Sequence, residues 1–427
     1  MKKIARKKVV RQAAIEAQQR WLPLMGMMLT LRRGLRELVV ESGMNALEAL
    51  LEQERTEACG ARYKHDPERR AFRSGHAPGE LVLGGRRVSV ARPRARTVDE
   101  SEVVLPSWKQ FGDEDPLSQR VVEQMLMGVA TRKYKRSLEP LPFEVKERGT
   151  SKSAASRHFI AATTQNLDEW MKRDLGKLRI AGLMIDGLSV GEHMVLVALG
   201  IDEGGHKHVL GMREGATENS TACKGLLGDL VDRGLCQERS LLVVLDGAKA
   251  LTSAVRRYFG EYALIQRCQF HKKKNVVEEL PDHMHASVRA TMCKAYKLRN
   301  VGTATQMLEN LARSIAKNYP SAAGSLREGL AETLTIVKLG LPPPLARTFS
   351  TTNPLENVNG SIRQTCRNVK RWQDGTMIRR WTALALREAE SHFHRIPGFA
   401  AMPFLLNALR DNDARVQQII DEQKKAS

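Results

Sequence analysis

The chain has 427 residues, with 68 Lys and Arg against 48 Asp and Glu, a formal net charge of +20. That length supports two or three domains with a sizeable core, and a field of that sign favours a polyanionic partner. No run of about eighteen apolar residues occurs and no spanning helix is expected, while Leu22 to Leu31 is too short and lacks the cleavage site of a signal peptide.

Six scattered cysteines (Cys59, Cys223, Cys236, Cys268, Cys293 and Cys366) suit a reducing, cytoplasmic setting rather than a disulfide framework. Cys268 and His271, joined by Cys223 and Cys236, form a nominal zinc set, but their spacings match no common closed site.

The first dozen residues hold Lys2, Lys3, Arg6, Lys7, Lys8 and Arg11. They read as a solvated tail or a non-specific phosphate contact. Residues 13–58 show a broken amphipathic pattern, with Ser42-Gly43 expected to separate two helices. The segment ELVLGGRRVSVARPRAR then predicts a β-hairpin turning at Gly84-Gly85, with arginines crowded in its second half. Arg86 and Arg87 are its candidate DNA contacts, since a basic ribbon can lie against DNA.

Residues 117–175 return to helical patterns, with a turn near Gly128, a second helix from Thr131, and an N-cap at Thr150 or Ser151 before a long helix. The arrangement is helix-turn-helix-like, which makes Ser153, Ser156, Arg157 and His158 candidates for reading or touching DNA. A plain helical bundle is the competing reading.

From 178 to 280 the pattern is strand, strand, strand, helix, strand, helix, strand. Two apolar runs end in Asp-Gly, at Asp186 and at Asp246. The second, LLVVLD, suits a strand buried in a parallel pair. Asp-Gly is also an ordinary turn signal, so these aspartates alone do not define a site.

A helical stretch from Pro281 to about Arg347 closes at Pro342-Pro343-Pro344. Beyond it, Asn353 is the expected N-cap of a further helix, with Pro354 at the first helical position and Glu356 in the first turn. Asn-x-x-Glu is close to a capping box, so Glu356 taken alone also reads as a cap residue. Arg363, Arg367, Lys370 and Arg371 follow at roughly helical spacing and would track a DNA backbone. Helices at 377–392 and to the end of the chain complete the pattern.

The segments LMIDGLSVGEH, VVLDGAKAL, RCQFHKKKNV and TTNPLENVNGSIRQTCRNVKRW resemble the bacterial insertion-sequence transposases of the Mutator superfamily, over about residues 60–395. The resemblance implies a ribonuclease H-like α/β catalytic domain with an all-α insertion, preceded by helical and β-hairpin DNA-binding regions. It places a catalytic, metal-binding triad on Asp186, Asp246 and Glu356, a Cys-x-x-His signature on Cys268 and His271, and an Arg-x-Trp-like element on Lys370-Arg371-Trp372. The expected division is 1–60 basic tail and helical region, 61–116 hairpin, 117–176 helix-turn-helix-like, 177–280 catalytic first part, 281–347 helical insertion, 348–395 catalytic second part, and 396–427 C-terminal tail.

Three converging carboxylates need a cation: a like-charged pair at about 4 Å costs about 1 kcal/mol in water and about 4 at an effective dielectric of 20. Mg²⁺, with Mn²⁺ as a substitute, is the expected cofactor, because a two-metal site activates the attacking oxygen and stabilises the leaving one. Asp186 is expected to bridge both ions, Asp246 to bind one and Glu356 the other. His271 would touch the scissile phosphate or orient a carboxylate, and Cys268 has packing as its competing role. Lys272, Lys273 and Lys274 are expected to meet phosphates, with a solvated charge run as the alternative. For Trp372, stacking on an unpaired base competes with a place in the core.

The expected partners are double-stranded DNA at the element ends and target, together with a second copy of the chain, since acting on two ends requires synapsis. No membrane is expected, and the place of action is the bacterial cytoplasm at the nucleoid. Two other functions compete: a sequence-specific regulator with an idle catalytic fold, and a metal-dependent nuclease without strand transfer.

Overall fold

A computed structural model describes residues 38–64, 69–113, 116–141, 145–215, 220–367 and 369–426. The chain divides into two compact units, Met1–Thr163 and Thr164–Ser427.

In the first unit, residues 38–59 form one helix, α1. It runs through Ser42-Gly43 without the expected break, because Leu47 and Leu51 are buried against Leu81, Val88, Val90 and Leu105, and that packing outweighs the local cost of a glycine. β1 (Ala71–Leu83) and β2 (Arg86–Thr97) pair antiparallel around Gly84-Gly85, as expected. Both glycines have positive φ, 58° and 80°, the geometry of a tight two-residue hairpin turn. Val88 and Val90 face the core while Arg87 and Ser89 face solvent, the period-two alternation of a half-buried strand. A short β3 (Glu147–Arg148) pairs with β2.

The helices of this unit are α2 (Pro106–Asp113), α3 (Pro116–Leu126), the single turn α4 (Tyr134–Ser137) and α5 (Lys152–Met171), which runs on past Thr163. The second helix expected from Thr131 is only a 3₁₀ turn, Thr131–Lys133, followed by α4. This short turn buries Tyr134, whose hydroxyl donates to Gly85 O at 2.6 Å and so anchors the hairpin turn. Ser151 caps α5, its Oγ accepting from Ala154 N at 3.2 Å.

The second unit is built on a five-stranded sheet of order β6-β5-β4-β7-β8. β4 (Ile180–Val190), β5 (His193–Asp202) and β6 (Lys207–Gly215) form an antiparallel meander. β7 (Leu241–Leu245) and β8 (Ala263–Arg267) run parallel to β4, reached through α6 (Ser220–Asp232) and α7 (Lys249–Phe259). Leu226, Leu227, Leu230, Leu251 and Phe259 pack on one face of the sheet. β7 is buried at all five positions, which explains its uninterrupted apolar run.

After β8 the chain is helical: α8 (Gln269–Glu278), α9 (Asp282–Tyr296), α10 (Val301–Ala316), α11 (Pro320–Arg327), α12 (Leu330–Thr333), α13 (Thr335–Lys338) and α14 (Pro343–Phe349). Val276, Met292, Leu308, Ile315 and Leu326 give most of these helices a core of their own. Thr335 Oγ1 donating to Ile265 O at 2.6 Å, and Ile336 N donating to Gln266 Oε1 at 2.9 Å, tie them to β8.

α15 (Asn353–Cys366) and α16 (Gly375–Ser391) return to the sheet, and α17 (Met402–Ala426) closes the chain. Asn412 holds α17 in place through Ser240 Oγ (2.8 Å) and Glu261 O (3.1 Å). No described helix is long and apolar enough to cross a membrane.

Candidate active site

The sheet register brings two carboxylates side by side. β4 and β7 are parallel and in register up to Ile185↔Leu245, so Asp186 and Asp246 are the next residues on adjacent strands. Neighbouring strands lie about 4.7–4.9 Å apart, which makes these two residues direct neighbours. Asp186 continues β4, and its Oδ1 accepts from Gly187 N at 3.0 Å. Asp246 leaves the sheet, and its Oδ1 accepts from Ala248 N at 2.8 Å across Gly247, whose φ is 110°.

The third carboxylate comes from α15, which packs beside β4 through an apolar face of Leu355, Val358 and Ile362. Glu356 is in its first turn. The helix begins one residue earlier than expected, with Thr352 at the N-cap and Asn353 inside the helix. Thr352 is buried, and its O accepts the first helical bond from Glu356 N at 2.9 Å.

Cys268 is a backbone and side-chain junction between the carboxylate-bearing segments. Its N–H donates to Leu245 O at 2.6 Å, just before Asp246, and its sulfur accepts from Thr352 Oγ1 at 3.7 Å, just before α15. Gln269 N adds a bond to Ser350 O at 2.9 Å. One turn on, His271 Nε2 lies 4.0 Å from Glu356 Oε1.

The electrostatics of the cluster are mutual. Burial, then the neighbouring Asp246 and more weakly Glu356, push the Asp186 carboxyl up to about 6, against the pull of Gly187 N–H and His271. His271 is pushed up to about 9, first by the Cys268 sulfur, with Asp186 and Asp246 adding to the effect and burial opposing it. Burial works to raise the Cys268 thiol, but contacts with His271 and Thr352 together leave it below its ordinary value. His271 Nδ1 is buried without a hydrogen-bond partner among the described residues.

The three carboxylates are hard oxygen donors of the kind Mg²⁺ prefers, and neither Asp186 nor Asp246 forms an ion pair among the described residues. Yet among the described residues no three acidic, imidazole or thiol side chains stand close enough to hold an ion. Of the cysteines in the nominal zinc set, Cys223 lies on α6 and packs into the core under it, while Cys236 is exposed.

Several candidate DNA contacts are corrected. Lys272 is fully buried and donates to Ser325 O and Glu328 O, so it faces the helical core rather than a phosphate. Arg86 is buried too, with Glu147 Oε2 at 3.1 Å and Glu139 O as partners. Lys273 donates to Cys293 Sγ at 3.4 Å, and Lys274 is exposed, 3.7 Å from Glu278. Arg87, Ser153 and Arg157 are exposed, while Ser156 and His158 are half-buried. Arg363 and Arg367 are exposed at the end of α15, but the helix stops at Cys366, so Lys370 and Arg371 are exposed on a connecting segment instead of a continuous helix. Trp372 is half-buried over Gly191, where a Cβ would lie 2.5 Å from its ring, so it covers the β4–β5 turn. The basic tail at 2–11 lies outside the described residues.

Two residues of the site escaped the sequence. Arg267 ends β8, and its guanidinium donates to Gly247 O (3.2 Å), Glu328 O (3.0 Å) and Glu328 Oε2 (3.1 Å), linking the loop after Asp246 to the α11–α12 turn. Phe270 presents its ring to solvent, 51 % exposed, next to His271. Both sit inside RCQFH, but nothing in the spacing of that motif separates them from their neighbours.

The second unit thus brings an aspartate within β4, another just past the end of β7 and a glutamate in the first turn of α15 into one neighbourhood. The profile of the family "Transposase, Mutator family" matches residues 27–395, and the chain belongs to that family. Among its relatives, the transposase for insertion sequence element ISRM5 of Rhizobium meliloti is 28% identical over 349 residues, 78% of this chain and 81% of the relative. The transposase for IS905 of Lactococcus lactis is 28% identical over 291 residues, 66% and 71% of the two chains. That for IS1081 of Mycobacterium tuberculosis is 25% identical over 372 residues, 82% and 83%.

Proposed function

We propose that this protein is a DNA transposase that binds the terminal repeats of an insertion sequence, cleaves at the element ends, and joins the freed 3′-hydroxyl to target DNA. The observation that carries the reading is the proximity of Asp186, Asp246 and Glu356, from one strand, the end of its parallel neighbour and the helix packed beside them, near enough that Asp246 and Glu356 both act on the Asp186 carboxyl. The strand order β6-β5-β4-β7-β8 supports a ribonuclease H-like assignment, with the helices between β8 and α15 as its insertion. The segments 1–60, 61–116 and 117–176 would bind DNA and pair two copies, and 396–427 would brace the catalytic part.

Asp186, Asp246 and Glu356 would hold divalent ions; bound Mg²⁺ or Mn²⁺ supplies Lewis-acid activation of the attacking oxygen and neutralises the leaving one. In the first reaction water adds to phosphorus, and the bond to the 3′ oxygen breaks, leaving a 3′-hydroxyl. In the second that hydroxyl attacks a target phosphodiester and displaces its 3′ oxygen. Gly187 N–H and Ala248 N–H orient Asp186 and Asp246. His271, raised above its ordinary value by the Cys268 sulfur and the nearby aspartates, would offer charge complementary to a phosphate beside Glu356.

Cleavage of a labelled duplex carrying the element's own end tests this, with wild type beside Asp186→Asn in Mg²⁺ and the 3′ ends mapped. A cut at the element boundary that disappears in the variant and in chelator is the expected result. Undiminished cutting in excess chelator overturns it, and binding without any cut in the wild type points to the regulator.

A further inference from the structure

On one side of Glu356 the second unit opens into a groove of about 1200 Å³. Glu356 is the only acidic side chain among the described residues lining it, whereas Lys297, Arg299 and Arg347 all line it as exposed cations. None of these three forms an ion pair among the described residues, in contrast to the arginines of the hairpin, where Arg92 and Arg94 share Glu102. The floor carries an aromatic ring. Phe270 lines the groove and is 51 % exposed, although its backbone is held firmly: Gln269, the residue before it, donates from its side chain to Thr333 O at 2.9 Å and from its N–H to Ser350 O at 2.9 Å. Its ring centroid lies 5.6 Å from that of His271, the residue that reaches Glu356.

A half-exposed aromatic ring fixed by its backbone, in a groove also lined by cations without ion-pair partners among the described residues, is the combination that binds single-stranded nucleic acid, through base stacking and phosphate contacts together. A base within a duplex has both faces covered and offers none to a ring. We propose that the groove takes an unpaired nucleotide of the strand that continues past the scissile phosphate, its base laid on Phe270 and its phosphates against Lys297 and Arg299. The site rests on the reading that Asp186, Asp246 and Glu356 act on DNA, and it adds a reason for the strand to leave the duplex beside them: stacking on Phe270 replaces the base stacking given up at the cut.

The test uses the full chain and a fluorescent eight-residue oligothymidylate carrying one 5-iodouracil, which couples on irradiation to an aromatic ring stacked on it. The coupled peptide should map to Phe270. Stacking on one ring contributes roughly 1–3 kcal/mol, so Phe270→Ala should weaken oligonucleotide binding by about 5- to 150-fold, and Phe270→Trp should restore it. Coupling mapped to another residue, or wild-type affinity in Phe270→Ala, overturns the proposal. Because the ring is half-exposed, Phe270→Ala should melt like the wild type; mapping in the wild type decides the matter independently of that variant. Cleavage of the element-end duplex is followed in parallel. Cleavage without coupling at Phe270 removes the groove and leaves the transposase reading, whereas coupling at Phe270 without cleavage removes the transposase reading and, with it, the assignment of the bound nucleotide to the cleaved strand.

Discussion

Asp186 illustrates how burial and a neighbour of like charge act on a single side chain. Its carboxyl is raised to about 6, so the folded state holds the proton more tightly than the unfolded chain does. A group raised in this way adds stability that is present at low pH and lost as pH rises through the folded value, here between about 4 and 6. Asp186→Asn keeps an acceptor for Gly187 N–H and removes the charge. In chelator the variant should therefore melt above the wild type at pH 7.5, by up to about 3 kcal/mol at 1.36 kcal/mol per pKa unit, and the gap should shrink to about 1 kcal/mol at pH 4.5. A gap of equal size at both pH values would show that ionisation of Asp186 is not its source. Lys272 makes a second residue-scale case, because a cation that looked like part of a phosphate-binding run is spent on two backbone carbonyls. Lys272→Met should lower stability by about 1–3 kcal/mol by orphaning those carbonyls, yet leave the salt dependence of DNA binding unchanged. A shallower salt slope in that variant would return Lys272 to the DNA-binding set.

Among the elements, β8 and its continuation into α8 link the sheet to the helices that follow. Arg267 at the end of β8 grips both Gly247 O, in the loop after Asp246, and Glu328, at the α11–α12 turn. Through this one side chain the helices after β8 and the Asp246 loop share a support. Arg267→Met should leave the sheet folded but loosen the Asp246 loop, so metal-dependent cleavage should fall at least tenfold and the Mg²⁺ concentration needed for half-maximal rate should rise. A fall in rate with an unchanged Mg²⁺ requirement would place Arg267 outside the support of Asp246. β4 is constrained in a different way. Gly182 faces Phe349 of α14, and a Cβ there would lie 2.4 Å from the ring. Gly182→Ala should cost about 1–3 kcal/mol, the usual range for overpacking, read as a lowered melting temperature.

For the molecule as a whole, the net charge of +20 does not fall evenly on DNA. Arg73, Arg86, Arg92, Arg94, Arg148, Arg173, Arg233 and Arg267 are paired with carboxylates inside their own unit. The exposed cations with no such partner among the described residues include Arg363, Arg367, Lys370 and Arg371. If six to ten phosphates are neutralised, DNA affinity should drop about 10³–10⁵-fold between 50 and 200 mM salt. Arg363→Ala with Arg367→Ala should lower the slope of log affinity against log salt by about 0.9 for each phosphate no longer neutralised. A slope unchanged in the double variant would move the DNA path away from the end of α15.

Local patterns are enough to read much of this protein: the Gly84-Gly85 hairpin, the β/α order from 178 to 280, the helices that follow, and a glutamate in the first turn of a later helix, whereas β4 runs on to Val190 past Asp186, the expected end of its apolar run. Each depends on side-chain alternation, a turn residue or a helix start, and those are written in neighbouring positions. What required the tertiary structure was which partner each charged group meets. Lys272 and Arg86 look like their neighbours in a basic run, and only packing turns them inward to carbonyls and carboxylates. Packing on Leu47 and Leu51 likewise carries α1 through Ser42-Gly43. Cys268 is a lone cysteine in sequence, and only the chain's return brings Leu245 O and Thr352 to it from positions far along the chain. Long-range pairing of this kind leaves no local periodicity, because it is set by which surfaces exclude water together rather than by any residue's own preference.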